Sequence, residues 1–396
     1  MRLSERMRQL PAYHFADASE RIAAKRASGV DVINLAMGDP DLPTPDVVID
    51  RLRETARDPI NQRYPEYLGM VEFRQAFARW FLGRFKLSID PEGELVPLIG
   101  SKEGLVHLSL ALLDPSDLAL VPDPAYTVYA AGTILAGATN YFLPLAAENG
   151  FLPDLEVIPP EVARRAKVLW LNYPNNPTGA IAPAEFFHEA VRFAREYDVL
   201  LVHDMAYADV SYDGYRPLSL LEIPNAREVA VEFHSFSKSY NMAGFRLGML
   251  VGNREVVQAL GQLKTNIDTG IFRPLQYAAI EALSLPGEWI AQRNLIYQRR
   301  RDLLTEALRR LGLQVEAPKA GLYLWPTIPP GQTSKEYALW LLDQTGIFVT
   351  PGSSYGSHGE GYLRLSLTAP DGWLEEAIAR LARLAEGEGA GVGSEV

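Results

Sequence analysis

The chain has 396 residues, 47% of them apolar and 22% charged, with a net charge of −11 at neutral pH and no cysteine. That length exceeds the roughly 100–200 residues of one ordinary domain, so two domains in one chain are expected. The acidic balance, without any Lys/Arg-rich run, argues against a nucleic-acid partner, and the missing cysteines exclude disulfides, thiolate metal sites and a cysteine nucleophile.

The opening MRLSERMRQLPAYHF lacks the continuous apolar segment of a signal peptide, and no later run reaches the roughly 18 apolar residues that span a bilayer. A cytoplasmic protein with no membrane partner is the expectation. Residues 1–30 read as an arm and a short helix (ASERIAAKRASG) ended by Gly29. VINLAMGDPDLPTP then carries an apolar strand into a Gly/Pro-rich loop, a common place for ligand contact. Asp46 to Arg57 has helical spacing behind Pro45.

From Leu95 to about Val251 short apolar runs alternate with amphipathic ones. The strand-like runs are LVPLI (95–99), LALVP (118–122), VLWLN (168–172), VLLVH (199–203), VAVEF (229–233) and LGMLVG (247–252). KEGLVHLSLALL (102–113) and AEFFHEAVRFAREY (184–197) have helical periodicity. Strands apolar on both faces and separated by helices indicate a mostly parallel sheet covered on both sides, whose ligands gather at the carboxyl ends of its strands. Beyond it, a long basic-acidic helix begins near Trp289, and QRNLIYQRRRDLLTEALRR (292–310) reads as a solvated helix face. FVTP and YLRLSLT are strand-like, the small polar tail GEGAGVGSEV reads as disordered, and no internal repeat is present.

Three successive sheet elements deliver chemistry to one edge. VLWLN leads into YPNNPTG, VLLVH ends in Asp204 with Tyr207 three residues on, and VAVEF leads into HSFSKSYNMAGFRLG. Taken singly, Asp204 reads as a helix cap, Lys238 as a solvated loop lysine and NPTG as a turn. Together they match the needs of a phosphorylated pyridine aldehyde. Asp204 can pair with a protonated ring nitrogen. Lys238 can hold the aldehyde as an imine if its amine loses its proton at neutral pH. Ser235, Ser237 and Arg246 can hold the phosphate, together with Ser101 and Lys102 at the start of a helix, where free N–H groups favour anions. Asn176 and Tyr207 can donate to the ring oxygen, and Tyr126 in PDPAYTVY can stack on the ring.

YPNNPTG, HDMAYADV and SFSKSYNMAGFRLG resemble the class I/II aminotransferases of the fold-type I pyridoxal-phosphate superfamily, and the resemblance runs from LAMGDPDLPTP to YLRLSLT. It implies pyridoxal 5'-phosphate as cofactor and the fold-type I PLP-transferase architecture: α/β, a mostly parallel central sheet sandwiched by helices, plus a smaller α/β domain. Residues 1–45 would form an arm and part of the small domain, 46–284 the large cofactor-binding domain, 285–386 the small domain and 387–396 the tail. The resemblance implies that Lys238 carries the imine and Asp204 pairs with the pyridine nitrogen. Asn176 and Tyr207 would bond the ring oxygen, with Ser235, Ser237, Arg246, Ser101 and Lys102 around the phosphate and Tyr126 on the ring. Tyr64 in RYPEYLGMVEFRQA would reach the phosphate of a neighbouring subunit, which implies a homodimer. Arg364 would clamp the substrate α-carboxylate, with Gly38 approaching it closely by its backbone and Asn176 beside it.

The expected activity is therefore a ping-pong transfer of an amino group between an L-amino acid and a 2-oxo acid, with Lys238 as the base. A lyase or decarboxylase on the same scaffold is the alternative, and a non-catalytic PLP-binding regulator the remote one. The six histidines (14, 107, 188, 203, 234, 358) show no metal-ligand spacing, so no metal is expected, and no G-x-G-x-x-G supports a nicotinamide site. LKTNIDTGIFRPLQ (263–276) resembles LL-diaminopimelate aminotransferases and their relatives, which suggests a neutral or diamino dicarboxylic donor with 2-oxoglutarate or pyruvate as acceptor. Arg273 reads either as a distal-carboxylate contact or as a surface or helix-start residue. Tyr13, Phe15, Tyr323 and Trp325 read as core aromatics or as the lining of a large-side-chain pocket.

Overall fold

The computed structural model describes residues 3–11, 22–27 and 29–387. Tyr13, Phe15 and the tail from residue 388 lie outside them, and of the expected N-terminal helix residues 22–27 are helical.

A seven-stranded sheet runs through the molecule in the order β2-β8-β7-β6-β5-β3-β4. The strands are β2 (Leu95–Leu98), β3 (Leu118–Asp123), β4 (Thr139–Pro144), β5 (Ala166–Leu171), β6 (Leu200–Asp204), β7 (Ala230–Ser235) and β8 (Gly248–Gly252). Strands β3 to β7 pair in parallel, while β8 runs against both β7 and β2. The expected VLLVH and VAVEF strands are shifted toward the C-terminus, so Asp204 and Ser235 are themselves the last residues of β6 and β7. Strand β4, which the apolar runs did not suggest, lies at the sheet edge and buries only one of its six residues, so it carries no apolar pattern to detect.

Alternate residues of each strand enter opposite cores. Leu120, Leu169, Leu171, Leu201 and Met249 join one cluster, while Val121, Val168, Trp170, Val202 and Phe233 join another. This period of two is why the central strands are apolar on both faces. Numbering the helices of nine residues or more, α1 (Asp46–Ala56), α2 (Val71–Phe85), α5 (Ala184–Tyr197) and α7 (Arg273–Leu283) contribute to the first cluster. Helices α3 (Ser101–Leu112) and α4 (Val128–Ala136), with α6 (Arg254–Ile267), cover the second. Helix α5 stops where Asp198 takes a left-handed conformation (φ 56°) and donates its backbone N–H to Ala194.

A third cluster gathers β9 (Tyr323–Leu324), β12 (Leu363–Ser366), α8 (Gly287–Arg310), α9 (Ser334–Thr345) and α10 (Asp371–Ala385). The N-terminal β1 (Ile33–Asn34) pairs in parallel with β10 (Ile347–Phe348), and β11 (Thr350–Pro351) pairs with β12. Leu35 stays in this C-terminal cluster and Leu42 packs against it, while the residues between them, Met37 to Asp39, reach the site at the sheet edge.

The solvated-face expectation for residues 292–310 is corrected at three positions. Arg293, Arg300 and Arg301 are buried. Arg300 forks onto Asp41 (2.7 and 3.0 Å) and Arg301 pairs with Asp213. Arg293 donates to the backbone oxygens of Lys238 (2.7 Å), Ser239 and Asp209. A planar fork of donors meets several fixed acceptors at once, which is what allows a guanidinium to be buried.

Candidate active site

At the carboxyl edge of the parallel strands lies a cavity of about 400 Å³. The ends of β3, β5, β6 and β7 supply Tyr126, Asn176, Asp204 with Tyr207, and Ser235 with Ser237 and Lys238. Ser101 and Lys102 reach it from the first turn of α3, and Arg246 from just before β8. Gly38 comes from the loop after β1 and Arg364 from β12. Every expected site residue lines this one cavity except Tyr64, which is 85% exposed outside it.

Asp204 is the buried charge at its floor. Its Oδ2 accepts from the Tyr129 hydroxyl (2.9 Å) and its backbone oxygen from Asn172 Nδ2 (2.6 Å). Its Oδ1 is buried and has no hydrogen-bond partner. Burial pushes the carboxyl up to about 6, against the pull of the Tyr129 hydrogen bond and of His203. An unpaired buried carboxylate oxygen is costly and asks for a donor from the cavity.

Lys238 sits on the short helix Phe236–Ser239, whose carbonyls Arg293 holds from behind. Its Nζ donates to the Gly38 oxygen, and burial pushes its amine below the usual lysine range. That is the direction a nucleophilic amine needs.

An anion cradle adjoins it. Gly100 caps α3 at φ 78°, and a Cβ there would lie 2.3 Å from Arg246 Nη2, so the absence of a side chain lets the guanidinium reach the helix start. Arg246 also contacts Ser237 Oγ (3.5 Å) and the Ala243 oxygen (2.7 Å), and the Ser235 hydroxyl accepts from the Ser237 N–H (3.2 Å). Two hydroxyls, a guanidinium and the N-terminus of a twelve-residue helix thus converge.

On the opposite side Arg364, 2% exposed, lies between the rings of Tyr323 (4.1 Å) and Tyr355 (4.7 Å). It donates to Asn176 Oδ1 (2.9 Å) and to the Ala36 oxygen. Tyr207 donates to the Tyr323 hydroxyl (3.1 Å). Burial holds the Tyr207 phenol far above its ordinary value. For Tyr323 burial also pushes upward, but the Arg364 and Lys238 cations outweigh it and the phenol ends below the usual range. Tyr323 is thus the natural acceptor of the pair.

Several lining residues carried no signal in the sequence. Tyr129, in the first turn of α4, stacks on Trp170 (5.2 Å) and donates to Asp204, contacts that no local spacing marks. Asn172, Asp39 and Tyr355 reach the cavity only through the fold. Of the doubtful aromatics, Tyr323 is both core and lining, whereas Trp325 stacks on Tyr362 (5.2 Å) away from this cavity. Arg273 also stays outside it: it forks onto Glu66 (2.8 and 3.2 Å) and donates to the Ile60 oxygen (3.1 Å). Glu103, His107 and Asp268 come close enough to share a cation, a grouping that spacing did not predict. The buried Lys264 ammonium already binds Glu103 (2.7 Å) and Asp268 (2.8 Å).

The cavity's unpaired Asp204 oxygen, buried lysine and anion cradle fit a flat, phosphorylated heteroaromatic with a ring N–H and a carbonyl. The fit agrees with comparisons to known proteins. The family model for aminotransferase class I and II matches residues 30–381. The chain is 53% identical to an LL-diaminopimelate aminotransferase of Dehalococcoides mccartyi over 382 residues, 96% of this chain and 98% of the relative. It is 50% identical to one of Moorella thermoacetica, covering 97% and 98%. Among solved structures, substrate-bound BacF of Bacillus subtilis superposes with a TM-score of 0.92 at 38% identity, covering 97% of this chain and 98% of that one. A Thermus thermophilus aspartate aminotransferase mutant gives 0.89 at 31%, covering 97% and 100%.

Proposed function

The chain belongs to the class I and II aminotransferases, and from that premise we propose that it binds pyridoxal 5'-phosphate on Lys238 and takes LL-diaminopimelate as amino donor and 2-oxoglutarate as acceptor. Its activity is the transfer of an amino group between an L-amino acid and a 2-oxo acid. The family and its fold depend on pyridoxal phosphate. When bound, that group supplies an electrophilic aldehyde and a conjugated electron sink.

The chain's own residues set the rest. Asp204 Oδ1 offers its free valence to a protonated ring nitrogen, which relieves the cost of burying that oxygen. Ser101, Lys102, Ser235, Ser237 and Arg246 hold the phosphate, joined by Tyr64 of a second copy in a homodimer. Tyr126 would cover one ring face and Asn176 would donate to the ring oxygen, joined by Tyr207 if its single hydroxyl proton turns from Tyr323 to the ring. Arg364, fixed between two aromatic rings, binds the substrate α-carboxylate with Gly38 and Asn176 alongside. The substrate Cα–H is then held near Lys238 Nζ, whose lowered proton affinity lets it take that proton and return it.

The observation that carries the cofactor reading is the partnerless Asp204 Oδ1 in the same cavity as the buried Lys238 and Arg364. The donor reading is supported by the names of relatives that match 96–97% of the chain. It is also supported by Asp39, an acid at the cavity wall suited to a second ammonium group. Those names favour transamination over the lyase or decarboxylase alternative. The reading extends to a cytoplasmic location and to the division into arm, large domain and small domain; among the described residues no helix is long and apolar enough to cross a membrane. The test is a donor screen with 2-oxoglutarate. LL-Diaminopimelate should give glutamate and the aminated form of the cofactor. Ammonia or a cleaved side chain without that form contradicts the reading.

A further inference from the structure

One face of Arg364 rests on the Tyr355 ring, and the turn that carries this ring is docked by a buried carboxylate at the end of β3. Asp123 is the last residue of β3 and is 4% exposed. Its Oδ2 accepts from the Ser357 hydroxyl (2.8 Å), the Ser357 N–H (3.2 Å) and His358 Nδ1 (3.0 Å), and its Oδ1 accepts from the His358 N–H (3.2 Å). Two residues away, the Ala125 N–H donates to the Tyr355 oxygen (2.9 Å). The segment after β3 and the segment before β12 are thus sewn together by five hydrogen bonds.

Local geometry is built for that contact. Gly356 has φ 136°, and a Cβ there would lie 1.8 Å from Asp123 Oδ1. Gly352 and Gly359 approach each other so closely that a Cβ on either would meet the other's backbone oxygen at 2.0 and 2.2 Å. The turn from 352 to 359 therefore has one compact shape, and Asp123 fixes where it docks. What it presents is the Tyr355 ring, 4.7 Å from the Arg364 guanidinium and part of the cavity wall. What Asp123 holds on its own side is the loop bearing Tyr126, another part of that wall.

We propose that Asp123 is a positioning residue for substrate binding: its carboxylate locks the Tyr355 turn onto the Tyr126 loop and so holds Arg364 in its carboxylate-binding pose. Four donors converge on two oxygens, and an amide in their place would turn its own NH₂ toward N–H groups. The inference rests on Arg364 binding the substrate carboxylate, so the test keeps the two claims apart.

Full-length protein loaded with cofactor is compared as wild type, D123N, S357A and R364K, reading KM and kcat for donor and acceptor. The dissociation constant for the unreactive dicarboxylate glutarate is read from the cofactor absorbance. D123N should raise both KM values and the glutarate constant about tenfold, the scale of a lost charge-assisted hydrogen bond. It should leave kcat and cofactor retention within about twofold, and S357A should show the same split at about threefold. R364K should weaken the same three constants through loss of its fork. If R364K weakens binding while D123N and S357A leave KM and glutarate unchanged, the positioning role is overturned and the Arg364 reading stands. A uniform fall in kcat, KM and cofactor retention also overturns it, since that marks general damage. If R364K binds as wild type, the Arg364 reading fails and the proposal fails with it. Should D123N not fold, S357A decides alone.

Discussion

Burial pushes the Asp204 carboxyl to about 6 from an ordinary 3.8, and that shift carries a stability cost with a definite sign. Between those values the folded chain binds more protons than the unfolded one, so stability is full below about pH 4 and falls as pH rises through about 6. In cofactor-free protein, urea unfolding of wild type should lose about 2 kcal/mol more than D204N between pH 4.5 and pH 8. Parallel pH profiles for the two proteins would contradict the account. On the proposed function a protonated ring nitrogen would offset this cost, which would suit an acid unfavourable in the bare fold to the loaded enzyme. Tyr129 contributes from the other side by occupying Oδ2 and leaving Oδ1 for the ligand. The sequence made Asp204 and Lys238 legible because each ends or follows an apolar run. Tyr129's role depends on a contact 75 residues away, which no local pattern encodes.

Strands β6 and β7 are joined behind the site by Glu232, which is fully buried. Its carboxylate accepts from His203 (2.9 Å), His234 (2.8 Å), the Ser219 hydroxyl (2.9 Å) and the Leu220 N–H (2.9 Å). Burial alone would raise this acid, but the two histidine hydrogen bonds lead the opposing pulls and bring it down to about 2. Its stabilising effect is therefore present above the ordinary carboxyl range and is lost only as pH falls toward 2. His203 and His234 directly precede Asp204 and Ser235, so the same network holds both strand tips in register. E232Q, which strands part of this donor set, should destabilise the protein by about 3–5 kcal/mol in urea unfolding at pH 7. A loss under about 0.5 kcal/mol would show the network to be dispensable. VAVEF reads as a strand from its apolar residues alone, and its one acid passes for a solvated side chain. The buried arginines of α8 were hidden for the same reason: Arg293 meets its acceptors 54 to 84 residues away.

Across the whole chain, residues from β1 to β12 meet in one cavity because parallel strands aim their carboxyl ends at a common edge and the C-terminal cluster closes over it. That architecture was legible from the alternation of short apolar runs with amphipathic ones, and the site from motifs that fall at strand ends. Three things were not: the edge strand β4, the turn carrying Tyr355, and the engagement of Arg273 by Glu66. Each is set by packing partners and not by periodicity. Tyr64 belongs to a further level, since its 85% exposure outside the cavity makes sense if its hydroxyl serves a second subunit.

All these convergences point at one nitrogen. Purified protein incubated with pyridoxal 5'-phosphate, reduced with borohydride and mapped by peptide mass spectrometry should carry a single pyridoxyl label on Lys238. A label on another lysine with position 238 unmodified would contradict the account.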